Sequence, residues 1–193
     1  MSGQLLLGPE YVRNNRHCVR RDIMLEKFPS SAWNSVAFAP IMLTDLRYSI
    51  AVHESGHALV GLTCGLKIRG MYIDPDDKSS GTKFQHEDVN RLTLDDQVTV
   101  TLAGAEAVEI VGCEHFSGQA LEDHALVRAT LLRHGIDENT AEGKVRGESI
   151  RKNARAWAQV ILVPRRELIT KLATALSEAG KLDEEQIAAL LAS

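Results

Sequence analysis

The sequence predicts a mainly α-helical fold with a small β-hairpin or sheet, and three observations carry that expectation. Most of the chain shows apolar residues at spacings of three and four between cap signals and glycine stops, the period of helices with one buried face. One stretch, 66–86, alternates apolar and polar residues around a turn instead. With 193 residues, 44% hydrophobic and 25% charged, the chain has the make-up of an ordinary globular domain and is long enough to bury a self-sufficient core.

Residues 1–43 read as an N-terminal extension, because Pro29 and Pro40 interrupt any long helix among Ser- and Asn-containing loop signals. Residues 44–193 read as one compact unit without internal repeats. The first strong helix is expected over 45–64, with Thr44 or Asp45 as N-cap, Leu46, Ile50, Leu59, Val60 and Leu62 as apolar positions, and Gly65 as the stop. The alternating segment follows, turning through Pro75 to Gly81. Thr93 with Asp96 three residues on opens a helix to about Val111, closed by Gly112. A further helix spans about Gln119–His134, capped by Ser117 and ended by Gly135, with Leu121, Ala125, Leu126, Ala129 and Leu132 as its expected buried side. From 140 onward three helical pieces are expected. Pro164 separates the first two, and Asp183 with Gln186 caps the last after Gly180.

Charge narrows the function classes. Twenty-two Lys and Arg against 26 Asp and Glu give a net charge of -4, unlike the basic surface that a nucleic-acid partner requires. No apolar run is long enough to span a bilayer, and the first residues lack the pattern of a signal peptide. Cys18, Cys64 and Cys113 are too few and too scattered for a disulfide framework or a cysteine zinc site; Cys64 reads as a buried thiol, and a cytoplasmic location is expected. The basic residues Lys144, Arg146, Arg151, Lys152 and Arg155 read as a solvated helix face.

The chemistry concentrates in His53-Glu54-Ser55-Gly56-His57. Histidines four apart on a helix share a face one turn apart, so both imidazoles reach one metal ion, and Zn²⁺ suits neutral imidazole nitrogens. Glu54, rotated about 100° from His53, is placed to take a proton from an acidified water. A catalytic zinc site needs a third protein ligand, for which the sequence offers Glu106, Glu109, His115, Glu122, Asp123 and His124. Spacing alone does not choose among them, although a helix presents only one of 122–124 at short range.

These residues resemble the peptidase domain of the FtsH-type zinc metalloproteases over about 45–193. Ala51, Val52, His53, Glu54, Ser55, Gly56 and His57 match that family's Ala-x-His-Glu-x-Gly-His pattern. Leu102-Ala103-Gly104 with Ala107 and Glu109 is similar to its Leu-Gly-Gly-x-x-Ala-Glu-Glu stretch, and Ser117 with Asp123 to its Ser-x-Gly-x-x-Asn-Asp stretch. The C-terminal LATALSEAGKLDEEQIAALL is similar to its closing helical hairpin. The departures are Ala103 for the first Gly of the pair, Val108 for the first Glu, and Glu122 for the Asn. The resemblance implies a helical zincin-like fold and Asp123 as the third zinc ligand beside His53 and His57. It also implies Glu54 as the catalytic base, a polypeptide substrate, and pairing of substrate with the strand after the catalytic helix, which fits edge pairing on the 66–86 hairpin. No GxxxxGK[ST] phosphate loop occurs, so ATP-driven unfolding would need a separate ATPase partner. Two further readings follow: a peptidase subunit that works only with such an ATPase, and a peptide-binding module on the same fold that does not cleave.

Overall fold

The computed structural model describes residues 46–74, 79–89, 91–114 and 117–192. The expected extension over 1–43, the N-cap at Thr44 or Asp45, and His115 lie outside them. The elements are α1 (Leu46–Thr63), β1 (Ile68–Ile73), β2 (Ser80–Phe84), a single turn α2 (His86–Val89), α3 (Leu94–Val111), α4 (Ser117–Arg133), α5 (Ala141–Leu162), a 3₁₀ turn at Val163–Arg165, α6 (Arg166–Ala179), β3 (Lys181–Asp183) and α7 (Glu184–Ala192). The architecture is mainly helical with one small antiparallel sheet, as the apolar spacing anticipates.

Local chemistry explains the boundaries. Gly65, at φ 84°, ends α1, with the Gly65 N–H donating to Leu62 O and the Leu66 N–H to Gly61 O, the paired bonds of a left-handed helix stop. Thr93 Oγ1 accepts from the Asp96 N–H at 3.2 Å and donates to Asp96 Oδ2 at 2.6 Å, the expected cap of α3. Asp183 and Gln186 exchange side-chain-to-backbone bonds of 2.9 Å at the start of α7, a reciprocal capping box. Pro164 sits in the 3₁₀ turn between α5 and α6, where its missing N–H costs nothing.

The central helix is α1. Every residue from Ser49 to Gly61 is buried except His57, because α3, α5, α6 and the sheet pack around it. The sheet has the order β2-β1-β3, all antiparallel. The hairpin is as expected, with Ile68 opposite Phe84 and Ile73 opposite Ser80, but β3 is an addition that three residues beside a helix cap do not announce. It makes β1 the central strand, with β2 and β3 at the two edges among the described residues, so the edge strand of the expected 66–86 hairpin is β2.

Two cores hold these elements. The larger joins α1, the sheet, α3, α5 and α6. The smaller consists of Val98 and Leu102 of α3, Val127 and Leu131 of α4, Ile136, and Ala154 of α5. This second cluster corrects the expected face of α4: Leu121, Leu126 and Leu132 are 68%, 53% and 60% exposed, while Val127, Thr130 and Leu131 are buried. The helix carries two apolar stripes, and α3 covers the one that turns Asp123 toward α1. Burying Val127 and Leu131 contributes roughly 1.5–3 kcal/mol each, enough to fix the register of α4. Cys64 is buried and disulfide-bonded, not the thiol the sequence suggested. Among the described residues no helix is long and apolar enough to cross a membrane.

Candidate metal centre

One turn of α1 separates His53 and His57, and their Nε2 atoms lie 3.0 Å apart. Asp123 Oδ2, delivered by α4, sits 3.2 Å from His53 Nε2 and 3.5 Å from His57 Nε2. Three ligand atoms about 2.0–2.1 Å from one tetrahedral ion would be separated by roughly 3.3 Å, so the observed triangle has the size such an ion requires. The donor set is two imidazoles and one carboxylate.

Hydrogen bonding supports the fit. His57 Nδ1 is 2.7 Å from Val100 O; a carbonyl only accepts, so Nδ1 donates, the arrangement that leaves Nε2 as the nitrogen facing a metal ion. Asp123 Oδ2 is buried with no hydrogen-bond partner among the described residues, an arrangement that costs free energy unless a cation or a proton lies between it and the histidines. Asp123, His53 and His57 are the one group of three or more such donors among the described residues that converges in this way.

Glu54 is 4% exposed and belongs to the same cavity. Its Oε1 accepts from Ser80 Oγ at 2.8 Å, and its Oε2 lies 3.0 Å from Thr82 Oγ1, whose hydroxyl also reaches Glu54 O at 2.9 Å. Ser80 and Thr82 are two apart on β2, so both side chains leave the same face of the strand. The sequence reading missed these two; hydroxyls at i and i+2 of an expected strand next to the motif are the signal that pointed to them.

Two glycines set the spacing of the helices. A Cβ on Gly104 of α3 would lie 2.5 Å from His53 Nε2 and 2.6 Å from its Cε1, so the bare backbone forms the surface against which the imidazole rests. A Cβ on Gly56 of α1 would strike Ala103 O and lie 2.6 Å from Ala107 Cβ. Gly56, unfavourable inside a helix by about 1 kcal/mol relative to Ala, is therefore explained by helix packing.

The remaining ligand candidates separate cleanly. Glu106 is buried away from the histidines, accepting from Gln159 Nε2 at 2.6 Å and facing Arg155 at 3.7 Å. Glu109, Glu122 and His124 are exposed. Asp123 alone among 122–124 meets the histidines, as helical geometry requires. His86 and His134 are exposed, and of the expected basic face Arg151 is engaged by Glu138 and Arg155 faces Glu106.

The three groups and Glu54 open onto a cavity of about 350 Å³ bounded by α1, β2, α3 and α4. Leu66, Phe84, Val89, Leu92 and Val100 supply its apolar walls. No protein-family model matches this chain, and no curated protein matches it either.

Proposed function

We propose that this domain is a zinc metallopeptidase of the FtsH type, with the helical zincin-like fold of that family, hydrolysing peptide bonds in flexible or unfolded polypeptides. The observation that carries the reading is the convergence of His53 Nε2, His57 Nε2 and Asp123 Oδ2 on one point beside a buried glutamate. His53, His57 and Asp123 would hold the ion. The chemistry a bound zinc supplies there is acidification of water and polarisation of a carbonyl.

The chain's own residues do the rest. A peptide lies along β2, which among the described strands pairs with β1 alone. Glu54 takes one proton from the attacking water, whose oxygen adds to the carbonyl carbon. When the C–N bond breaks, Glu54 passes that proton to the leaving amine. Ser80 and Thr82 keep the carboxylate in one orientation through the cycle. Folded proteins would need a separate ATPase to deliver an extended chain.

One observation favours the second reading, a peptide-binding module without turnover: both oxygens of Glu54 already face hydroxyls. A carboxylate oxygen has two acceptor positions, so each retains one for a water proton, and the hydroxyl contacts are compatible with catalysis. The test pairs two variants. Glu54→Gln should bind zinc as the wild type does and lose hydrolysis of an unstructured reporter such as casein, whereas Asp123→Ala should lose both. Retained hydrolysis in Glu54→Gln, or about one zinc per chain in Asp123→Ala measured by elemental mass spectrometry, would refute the assignment.

A further inference from the structure

The cavity continues past the metal centre between α3 and α4. Asp123, Leu126, Thr130 and Arg133 all line it, at intervals of three and four that place them along one face of α4. From α3, Gln97, Val100 and Thr101 line the opposite wall. The walls thus change character along their length, from carboxylates at Glu54, Glu122 and Asp123, through apolar side chains, to Arg133.

Arg133 is the one Lys or Arg side chain on this lining among the described residues. Its Nη2 donates to Thr130 Oγ1 at 3.0 Å. Thr130 is buried at 3% exposure and lies three residues toward Asp123, so the bond leans the guanidinium along the trough. That bond uses one of five N–H donors. Among the described residues no carboxylate lies within ion-pair distance of the guanidinium.

We propose that Arg133 is a specificity-determining residue that receives a carboxylate of the bound peptide, about four residues from the bond to be cleaved. Ten residues of helix separate Asp123 from Arg133, a rise of roughly 15 Å, and an extended peptide covers that distance in about four residues. The inference rests on the metallopeptidase reading for its register, but its binding chemistry stands without cleavage. The carboxylate belongs to a Glu or Asp side chain or to a free C-terminus.

The test uses the full chain carrying Glu54→Gln, which leaves the peptide intact, and reads fluorescence anisotropy of labelled octapeptides with a Phe-Leu centre. One peptide carries Glu four residues from the centre and an amidated end, the second carries Gln there with an amidated end, and the third carries Gln with a free C-terminal carboxylate. At least one acidic peptide should bind about five- to tenfold tighter than the neutral one, as a charge-assisted bond in a half-open cleft allows. The tighter acidic peptide identifies the source. Adding Arg133→Gln should erase the difference, whereas adding Arg128→Gln, on the groove that α4 shares with α5, should keep it. Equal affinity for all three peptides, absence of binding, or discrimination that survives Arg133→Gln would overturn the proposal. Because no hydrolysis is read, loss of the peptidase reading through Glu54 or Asp123 leaves this result separately interpretable.

Discussion

Replacing Gly104 by Ala tests whether bare backbone under His53 is part of the metal centre. The added Cβ would lie 2.5 Å from His53 Nε2, 2.6 Å from Cε1 and 2.7 Å from Cδ2, against ordinary contacts of about 3.4 Å or more. The imidazole must therefore move by roughly 0.9 Å, since α3 is fixed by its packing on α1 and α5. Zinc ligands tolerate about 0.2 Å, so His53 leaves the position that makes the 3.2 Å approach to Asp123. Losing the alignment of one ligand should weaken zinc about 10- to 100-fold or more. Stability should change less: Ala in a helix gains about 1 kcal/mol over Gly, and overpacking costs about 1–3 kcal/mol, leaving a net loss of roughly 0–2 kcal/mol. Zinc affinity by competition with a chromogenic chelator, beside urea unfolding of the metal-free protein, separates the two effects. Gly56→Ala provides the contrast, because its Cβ meets Ala103 O and Ala107 Cβ, which cannot swing aside as a ring can; the helices must part, so the overpacking cost falls near the upper end of about 1–3 kcal/mol and, after the same gain of about 1 kcal/mol, the metal-free protein itself should lose roughly 2 kcal/mol. Zinc binding within twofold of wild type in Gly104→Ala would refute the argument.

Two other expectations follow from the geometry. Thr82→Val removes the hydroxyl 3.0 Å from Glu54 Oε2 while keeping shape; zinc content should be unchanged and kcat should fall about tenfold with little change in KM, and an unaltered kcat would show that Thr82 does not orient the base. Glu138→Gln should destabilise the fold by about 1 kcal/mol at neutral pH. The Arg151 hydrogen bond, at 2.7 Å from Nη2 to Oε2, outweighs burial and holds the Glu138 carboxyl below its ordinary value. A depressed carboxyl stabilises fully above its unfolded pKa and stops doing so as pH falls through the folded one. The gap between wild type and variant should therefore close in acid, below the ordinary glutamate range; a gap constant down to pH 3 by urea titration would sink the explanation.

The legible parts of this protein were those written in local sequence. Caps at Thr93 and Asp183, the stops at Gly65 and Gly112, and the helical period around His53 and His57 each act over a few residues, so a linear reading finds them. What failed was non-local. The face of α4 depends on which of two apolar stripes α3 covers, and Leu121, Ala125 and Leu132 are as regularly spaced as Val127 and Leu131. The strand Lys181–Asp183 exists because β1 has an unpaired side there, not because its own residues demand it. At the candidate site, the pair of histidines and Glu54 were read from one helical turn. Asp123 came from family resemblance, since 122–124 are chemically equivalent until a packing face is chosen. Ser80 and Thr82, and the contact that Gly104 makes under His53, were missed because those roles are defined by what lies opposite them in space.

That dependence on packing explains how the candidate centre is assembled. α1 supplies two of the candidate ligands from within the main core, where almost every side chain is buried. α4 supplies the third candidate, and it docks on α3 through the small cluster of Val98, Leu102, Val127 and Leu131. The position of Asp123 is therefore set at second hand, by apolar contacts one to two turns further along α4. Those contacts also hold Oδ2 in a buried place with no hydrogen-bond partner among the described residues. An apolar core of this size offsets the roughly 1–3 kcal/mol of an orphaned acceptor, so the preformed triangle is maintained by α3–α4 packing. A metal ion entering it relieves that cost and ties α4 directly to α1. The same cluster that determines which stripe of α4 is buried thus determines which of three adjacent residues meets the histidines.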